Sequence, residues 1–426
     1  MKLEIEIISE EIIKPSSPTP DHLHHYNLSF LDQISPPVYN PFILLYPTDG
    51  ELKSNNLEIY EELKQSLSQV LTYYYPLAGR IKDNHFVDCN DEGALLLQAQ
   101  VSSKLSDVVD NPEPTEFNKL LPFELDQAQE LPLGIQFNIF KCGGICLGLC
   151  LSHKIADAFS ALTFIKTWAA IARGEADIVR PEFVSDTLFP PKNISGFNPS
   201  IGITKQNIVT KRFVFSSSSI ESLRARYATS LENERPPSRI EALSAFIWSR
   251  FMAATTVESG RRKIYLMLHA VNLRKRMNPP LSEHSFGNYY RVAITIPSVH
   301  PSGEDDLVNQ MRDSISKIDE EYVKKLQKGD EHLDFIKERA ESFMRGEIAT
   351  LNFTSLCRFP LYEADFGWSK PIWVGAPSLT FKDLVVFMDT ASGDGIEALI
   401  HLKEEDMAKL KEDQELLRFT CSHLSQ

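Results

Sequence analysis

Apolar positions recur along this chain with two distinct periods. In "LEIYEELKQSLSQVLTYYY", residues 57 to 75, Leu57, Tyr60, Leu63, Leu67, Val70 and Leu71 fall three or four apart, which predicts a helix with one apolar face. Residues 3 to 8 alternate instead, as a strand does, until the prolines of "KPSSPTP" stop them. "NPFILLYP" predicts a short buried strand, and "PLAGRI" a turn out of the first helix. "HFVDCNDEGALLLQAQV" predicts two strands around an Asn-Asp-Glu-Gly turn. Residues 135 to 151 alternate loosely and then become continuously apolar, as a central sheet strand would. After Asp157, the helical period returns at Phe159, Leu162, Ile165, Trp168, Ala169 and Ala172, and Gly174 offers a stop.

Residues 175 to 209 carry no clear period and several prolines, which is long for a simple loop. They predict a crossover between two domains, 1–174 and 210–426; a meandering surface segment within one domain is the other reading. The second half opens with strand "VTKRFVF". A helix "SSSIESLRARYA" follows, with Ser218 and Glu221 at capping-box spacing, then a helix in "SRIEALSAFIWSRFMAA" with Ser238 and Glu241 likewise placed. "KIYLMLHAVNLR" predicts a strand, and "NPPLSEHSFGNYYRVAITIP" a proline-bounded loop entering another. Residues 302 to 334 predict one long solvated helix. "DLVVFMDTASGDGIEALIHL" predicts a hairpin turning at Gly393-Asp394-Gly395, and "KEEDMAKLKEDQELLRF" a closing helix. Strands and helices mix in both halves, so the expected class is α/β.

A length of 426 residues favours two domains over one, and 42% apolar residues are enough for a substantial core. The formal charge of -14 argues against a general nucleic-acid binder but leaves room for a local basic patch. The six cysteines include no CxxC pair. Cys142, Cys146 and Cys150, four apart in a strand, would spread over about 26 Å and could not share one metal without a turn. They read as reduced core thiols of a cytosolic protein. The N-terminal stretch has no h-region of a secretory signal, and no run reaches the roughly 18 apolar residues of a membrane span. The expectation is a cytoplasmic protein without membrane insertion.

The segment "GGICLGLCLSHKIADAFSALTF" holds the candidate chemistry: His153 at the end of an apolar strand and Asp157 at the start of a helix. A histidine so placed can project into a cleft and exchange a proton near neutral pH. The spacing alone also fits a core histidine followed by a helix-capping aspartate. A zinc site would need further ligands, and no HExxH is present. A serine hydrolase would need a nucleophile elbow, and no GxSxG is present; Ser152, next to His153 in a strand, points to the opposite face. The third reading is a histidine base that activates an acceptor against an already activated acyl donor such as a thioester.

Further residues carry a resemblance. "HKIAD", His153 to Asp157, resembles the HxxxD motif of the plant BAHD acyltransferase family, and "DFGWSKP", Asp365 to Pro371, resembles its DFGWG motif. "YYPLAGR", "SRIEALSAFIW", "VNLRKRMNPPL" and "SFGNYY" support it in the same order, so the resemblance spans nearly the whole chain. "SFLDQ", "FVDCNDEG" and "GDGIEA" are most similar to its alkaloid-directed members.

The resemblance implies two similar-sized mixed-sheet domains of chloramphenicol-acetyltransferase-like architecture, with an interdomain active-site channel. It implies an acyl-CoA-dependent O-acyltransferase that works as a monomer without metal or prosthetic group. Acetyl-CoA would be the donor cosubstrate and a bulky specialised-metabolite alcohol the acceptor. An N-acyltransferase or a noncatalytic ligand-binding homologue would be the alternatives. His153 would be the general base. Asp157 would brace the site through an arginine, Arg274 before Arg276, and Thr354 would donate to the oxyanion. Asp365 and Gly367 would support the site structurally. Two positions depart from the family pattern: Leu356 stands where an indole is common, and Ser369 where a glycine is. Asn272 and Asn288 would set local geometry without a chemical role, and no residue is assigned to CoA.

Overall fold

The computed structural model describes residues 2–47, 55–126, 130–201, 203, 207–228, 235–255, 264–297, 306–328, 331–346 and 348–420. In chain order the strands of the first half are β1 (Ile5–Ile13), β2 (His25–Asn27), β3 (Tyr39–Tyr46), β4 (Arg80–Lys82), β5 (Phe86–Asp88), β6 (Ala94–Val101), β7 (Leu133–Phe140) and β8 (Ile145–Ser152). Then come β9 (Ile208–Phe215), β10 (Ile264–Asn272), β11 (Tyr290–Thr295), β12 (Ile348–Ser355), β13 (Trp373–Gly375), β14 (Leu384–Asp389) and β15 (Ile396–Lys403).

Two compact units form. Unit 1 comprises Met1–Ile201, Leu281–Tyr289 and Phe359–Leu379; unit 2 comprises Gly202–Pro280, Tyr290–Arg358 and Thr380–Gln426. Each has a six-stranded mixed sheet, ordered β1-β6-β7-β8-β3-β13 in unit 1 and β11-β10-β12-β14-β15-β9 in unit 2. The class is therefore α/β, as the mixed pattern predicts. The DFGW stretch lies in sequence within 210–426 but in space belongs to unit 1. The reason is β13, which pairs antiparallel with β3 through Trp373, Val374 and Gly375.

Unit 1 explains the apolar run before His153. Every residue of β8 is buried, because β8 lies between β7 and β3 with both sheet faces covered. One face packs Cys146 and Cys150 against Ile43, Leu45 and Leu120. Helices Asn56–Tyr73 and Ala158–Ala172 pack on each other and are tied by the Trp168 indole N–H, which donates to Ser66 Oγ at 3.0 Å. Gly148 is required by close approach, since a Cβ there would lie 1.9 Å from the Leu120 carbonyl oxygen.

Several local expectations need correction. Residues 135 to 151 are a hairpin, β7 and β8, rather than one strand. The Phe140 and Gly143 backbone bonds close its turn, and Gly143 takes φ +89°; the Gly-Gly pair was the turn signal. Cys142 therefore sits exposed in the turn, apart from buried Cys146 and Cys150. None of the five described cysteines forms a disulfide, and burial pushes the thiols of Cys89, Cys146 and Cys150 up; Cys421 lies outside the described residues. The two strands around Asn-Asp-Glu-Gly exist but do not pair, since β5 joins β2 and β4 while β6 joins β1 and β7.

In unit 2, Ser238 and Glu241 form the expected reciprocal cap. The helix Ser217–Ala228 is capped by Ser216 instead of Ser218, for the Ser219 N–H donates to Ser216 Oγ at 3.1 Å. The long helix over 302 to 334 is broken into Leu307–Ser316, Glu320–Lys328 and Glu331–Met344; Asp319 caps the second by accepting from the Tyr322 N–H. The closing helix divides into Glu404–Leu410 and Gln414–Phe419, with Asp413 capping the latter. The β14–β15 hairpin turns where expected. No described helix is long and apolar enough to cross a membrane.

Candidate active site

His153 is the first residue after β8, where the backbone leaves the sheet. Its N–H still donates to the Val38 carbonyl at 2.8 Å, so the turn starts from a fixed point. The side chain is half-buried, whereas Lys154, Ile155, Ala156 and Asp157 behind it are buried. Ser152 is fully buried, and its Oγ accepts from the Lys154 N–H at 3.3 Å, so it serves the turn.

The imidazole is held on one side. Its Nδ1 lies 3.1 Å from the Ala156 carbonyl oxygen and 3.0 Å from Asn288 Oδ1. Burial pushes its pKa below the ordinary histidine value, while the Asp157 charge and the Asn288 contact push it back up. The balance keeps a neutral imidazole at neutral pH, the form a general base needs.

Asp157 caps the helix Ala158–Ala172. Its Oδ1 accepts from the Ser160 N–H at 2.8 Å and its Oδ2 from the Tyr289 N–H at 3.0 Å. The Asp157 N–H donates to the Gly287 carbonyl, which also accepts from the Ser160 hydroxyl. One carboxylate thus ties a helix start to the "SFGNYY" segment that carries Asn288. Its charge also acts on His153, raising the imidazole pKa against the effect of burial.

Asp365 and Gly367 are in unit 1. Asp365 Oδ1 accepts from the Gly367 N–H at 2.8 Å, and Arg173 donates to the Asp365 carbonyl. Gly367 has φ +101°, a conformation other residues adopt only under strain. Phe366 packs edge-on to Trp168 at 4.8 Å, and Trp368 lies 4.4 Å from Tyr46, whose hydroxyl donates to the Ala364 carbonyl. The motif clips its chain segment onto unit 1. Ser369 has no positive φ, so its backbone does not require a glycine.

Thr354 and Arg274 belong to unit 2. Thr354 is half-buried near the end of β12, on the face opposite the core residues Leu351 and Phe353. Leu356 follows the strand, and its N–H donates to the Phe387 carbonyl. Arg274 is buried in a short turn after β10, where its N–H donates to Asn272 Oδ1 at 2.9 Å; Arg276 is half-buried. Among the described residues, no three His, Cys, Asp or Glu side chains group to hold a metal ion.

Sequence reasoning gave Asn288 no chemical role and passed over Asp32. Asn288 is fully buried, and its Nδ2 donates to the His153 carbonyl and to Asp32 Oδ1, each at 2.8 Å. Ser29 and Asp32 stand three apart and form a capping box, a legible signal for a fixed turn. Nothing in the sequence gives the contact between Asp32 and a residue 256 positions away.

A family model described as the transferase family matches residues 3–417. Stemmadenine O-acetyltransferase of Catharanthus roseus is 40% identical, over 97% of this chain and 97% of its own length. Limonoid 21-O-acetyltransferase of Citrus sinensis is 37% identical, over 99% and 100%. The crystal structure of vinorine synthase superposes with a TM-score of 0.85 at 35% identity, covering 99% of this chain and 100% of that one.

Proposed function

This chain belongs to the BAHD acyltransferases, the transferase family whose model it matches, and from that premise we propose how its residues carry out the reaction. It is an acyl-CoA-dependent O-acyltransferase of specialised metabolism, with the chloramphenicol-acetyltransferase-like two-domain fold. The donor is acetyl-CoA and the acceptor a hydroxyl of a bulky polycyclic alkaloid-like alcohol. Relatives named O-acetyltransferases for stemmadenine and a limonoid support both the acetyl group and oxygen, rather than nitrogen, as the acceptor atom.

One observation carries the assignment of the base. His153 leaves a buried strand with Nδ1 set against two carbonyl oxygens. A neutral imidazole that donates from Nδ1 has its lone pair on Nε2. In the proposed reaction Nε2 takes the proton of the acceptor hydroxyl as the oxygen attacks the thioester carbonyl. The tetrahedral intermediate carries its negative charge on the former carbonyl oxygen, to which the Thr354 hydroxyl donates. The C–S bond then breaks, the ester forms, and the imidazolium returns its proton to the CoA thiolate. A base of this kind contributes about 10²–10⁴ in rate, and one oxyanion donor about 10²–10³.

Asp157 supports this geometry with Arg274 as its proposed brace, and Asp365 and Gly367 hold the clip that fixes β13. The enzyme is read as a cytoplasmic monomer. Purified protein incubated with a panel of acyl-CoAs crossed with hydroxylated alkaloids and limonoids tests the reading by ester mass and released thiol. The expected result is acceptor-dependent ester formation, fastest with acetyl-CoA. Tight ligand binding with no transfer from any donor would instead identify a noncatalytic homologue, and products blocked by acceptor O-methylation but not N-methylation fix the bond as an ester.

A further inference from the structure

Behind His153 lies a buried carboxylate that the reaction as written does not use. We propose that Asp32 and Asn288 are positioning residues: the Asp32 carboxylate fixes the Asn288 side-chain amide, and that amide fixes the His153 proton on Nδ1, leaving Nε2 as the basic nitrogen. This deepens the reading of His153 as the base and rests on it.

The two ends of an asparagine amide differ little in shape, so the neighbours decide its orientation. Asn288 Nδ2 faces Asp32 Oδ1 and the His153 carbonyl oxygen, both at 2.8 Å. A carbonyl and a carboxylate can only accept. Turning the amide over would set Oδ1 against both oxygens and lose two hydrogen bonds in a fully buried place. Oδ1 therefore faces the ring, 3.0 Å from Nδ1, with the Ala156 carbonyl at 3.1 Å. A lone pair on Nδ1 would meet two oxygens, whereas an N–H there satisfies them.

Asp32 can impose this order because its own surroundings are fixed. Its Oδ2 accepts from the Ser29 N–H at 2.9 Å and the Ser29 hydroxyl at 2.6 Å. Its Oδ1 accepts from the Asn288 N–H at 3.2 Å and from Nδ2. Four donors converging on one carboxyl group favour the ionised form. Burial is the stronger influence and holds the Asp32 pKa above the ordinary carboxylate value, with these donors and Lys154 pulling against it. Lys154 Nζ is anchored to the Gln33 and Ser35 carbonyls, each at 2.8 Å, beside the same turn.

The arrangement divides labour between two acids. Asp157 Oδ1 accepts from the Ser160 N–H and its Oδ2 from the Tyr289 N–H. Asp32 reaches the imidazole through one intervening amide. An amide donating to an anion becomes a better acceptor at its other end, so the link strengthens as the ring gains charge during transfer. The role is like that of groups that set the tautomer of a ligating or catalytic histidine by binding its other nitrogen.

The test uses the full chain with ¹⁵N-labelled histidine, in which the His153 resonances are assigned by their absence in His153→Ala. Near neutral pH, Nδ1 should appear as a protonated, pyrrole-type nitrogen and Nε2 as an unprotonated, pyridine-type one. In Asn288→Ala the Nδ1–H form should lose population, and kcat should fall about 10- to 100-fold with KM within about twofold. Only the joint change supports the proposal. A wild-type His153 protonated at Nε2 overturns it. So does Asn288→Ala with an unchanged tautomer, whatever its rate, or an altered tautomer with unchanged kcat. Should Asn288→Ala fail to fold, Asp32→Asn is put through the same two readouts and judged by the same joint change. If His153→Ala keeps wild-type turnover, the base assignment fails; if it is inactive but the tautomer is Nε2–H, only the Asp32–Asn288 link fails.

Discussion

His153 in unit 1 and His401 in unit 2 both belong to otherwise apolar strand sequences, and burial pushes both below the ordinary histidine pKa, His401 to about 3. His401 is fully buried in the middle of β15, with Nδ1 2.7 Å from the Thr210 hydroxyl oxygen. Its Nε2 has no hydrogen-bond partner among the described residues. His153 sits one residue past the end of β8, half-buried, with Nδ1 set against two acceptors. A lowered histidine pKa is thus found in the core as well as at the candidate site. A large pKa shift is only a pointer to function. What distinguishes His153 is its place at a strand end and a polar network that assigns its proton.

Removing each ring should separate them most sharply. His153→Ala is expected to lose about 10²–10⁴ in kcat while its melting curve stays near wild type. His401→Phe should keep kcat within about threefold, since its ring takes no part in the reaction. Steady-state rates per folded molecule check this, and equal losses in both would erase the distinction.

Acid should unsettle the core histidines. His269 is also buried, stacked on Phe353, with its pKa pushed down to about 4 by burial. A histidine whose folded pKa is lowered stays neutral in the fold while the unfolded chain takes a proton below about pH 6.5. Its contribution is present above that pH and lost as pH falls toward the folded values of about 4 and about 3. Between pH 7 and 5, His269 and His401 should each cost about 2 kcal/mol, read as a falling urea midpoint. His401→Phe should remove about 2 kcal/mol of the loss over that range; an unchanged slope would show that His401 is not held neutral.

Asp157 sharpens the contrast between shape and chemistry. Asp157→Ala leaves the Ser160 and Tyr289 N–H groups without this acceptor and should cost about 2–4 kcal/mol in chemical unfolding. Activity should fall with it, but the acid limb of the surviving rate should still follow His153. A lost acid limb would make Asp157 part of proton transfer.

The DFGW clip gives the smallest effects. Gly367→Ala meets nothing closer than 3.6 Å, so its cost of about 1–3 kcal/mol should come from backbone strain at φ +101°. Ser369→Gly should change the melting free energy by less than about 1 kcal/mol, because Ser369 already has an ordinary backbone. A large gain on introducing this glycine would mean that Ser369 is strained after all.

Much of this was readable along the chain because it is local. The apolar run fixes β8 as central, the change of period after Asp157 marks a helix start, and Asp157 caps that helix. The hairpin before His153 was missed because the alternation of β7 runs on into the apolar run of β8, with only residues 141 to 144 between them. The breaks at Asp319 and Asp413 were missed because single caps interrupt otherwise helical patterns. Asn288 and Asp32 were illegible for a different reason. Their function exists only in contacts across 135 and 256 positions, and neither residue type is remarkable in its own segment.

The central claim is direct transfer by a histidine base, without an acylated enzyme. Wild type and His153→Ala can be mixed with stoichiometric acetyl-CoA first without and then with an acceptor alcohol, following intact-protein mass and free thiol. No acetyl mass gain and no thiol are expected before the acceptor is added. Ester and thiol should then appear in equal amounts with wild type, and neither at a comparable rate with His153→Ala. An acetylated protein before the acceptor arrives, or full-rate thiol release by His153→Ala, would contradict it.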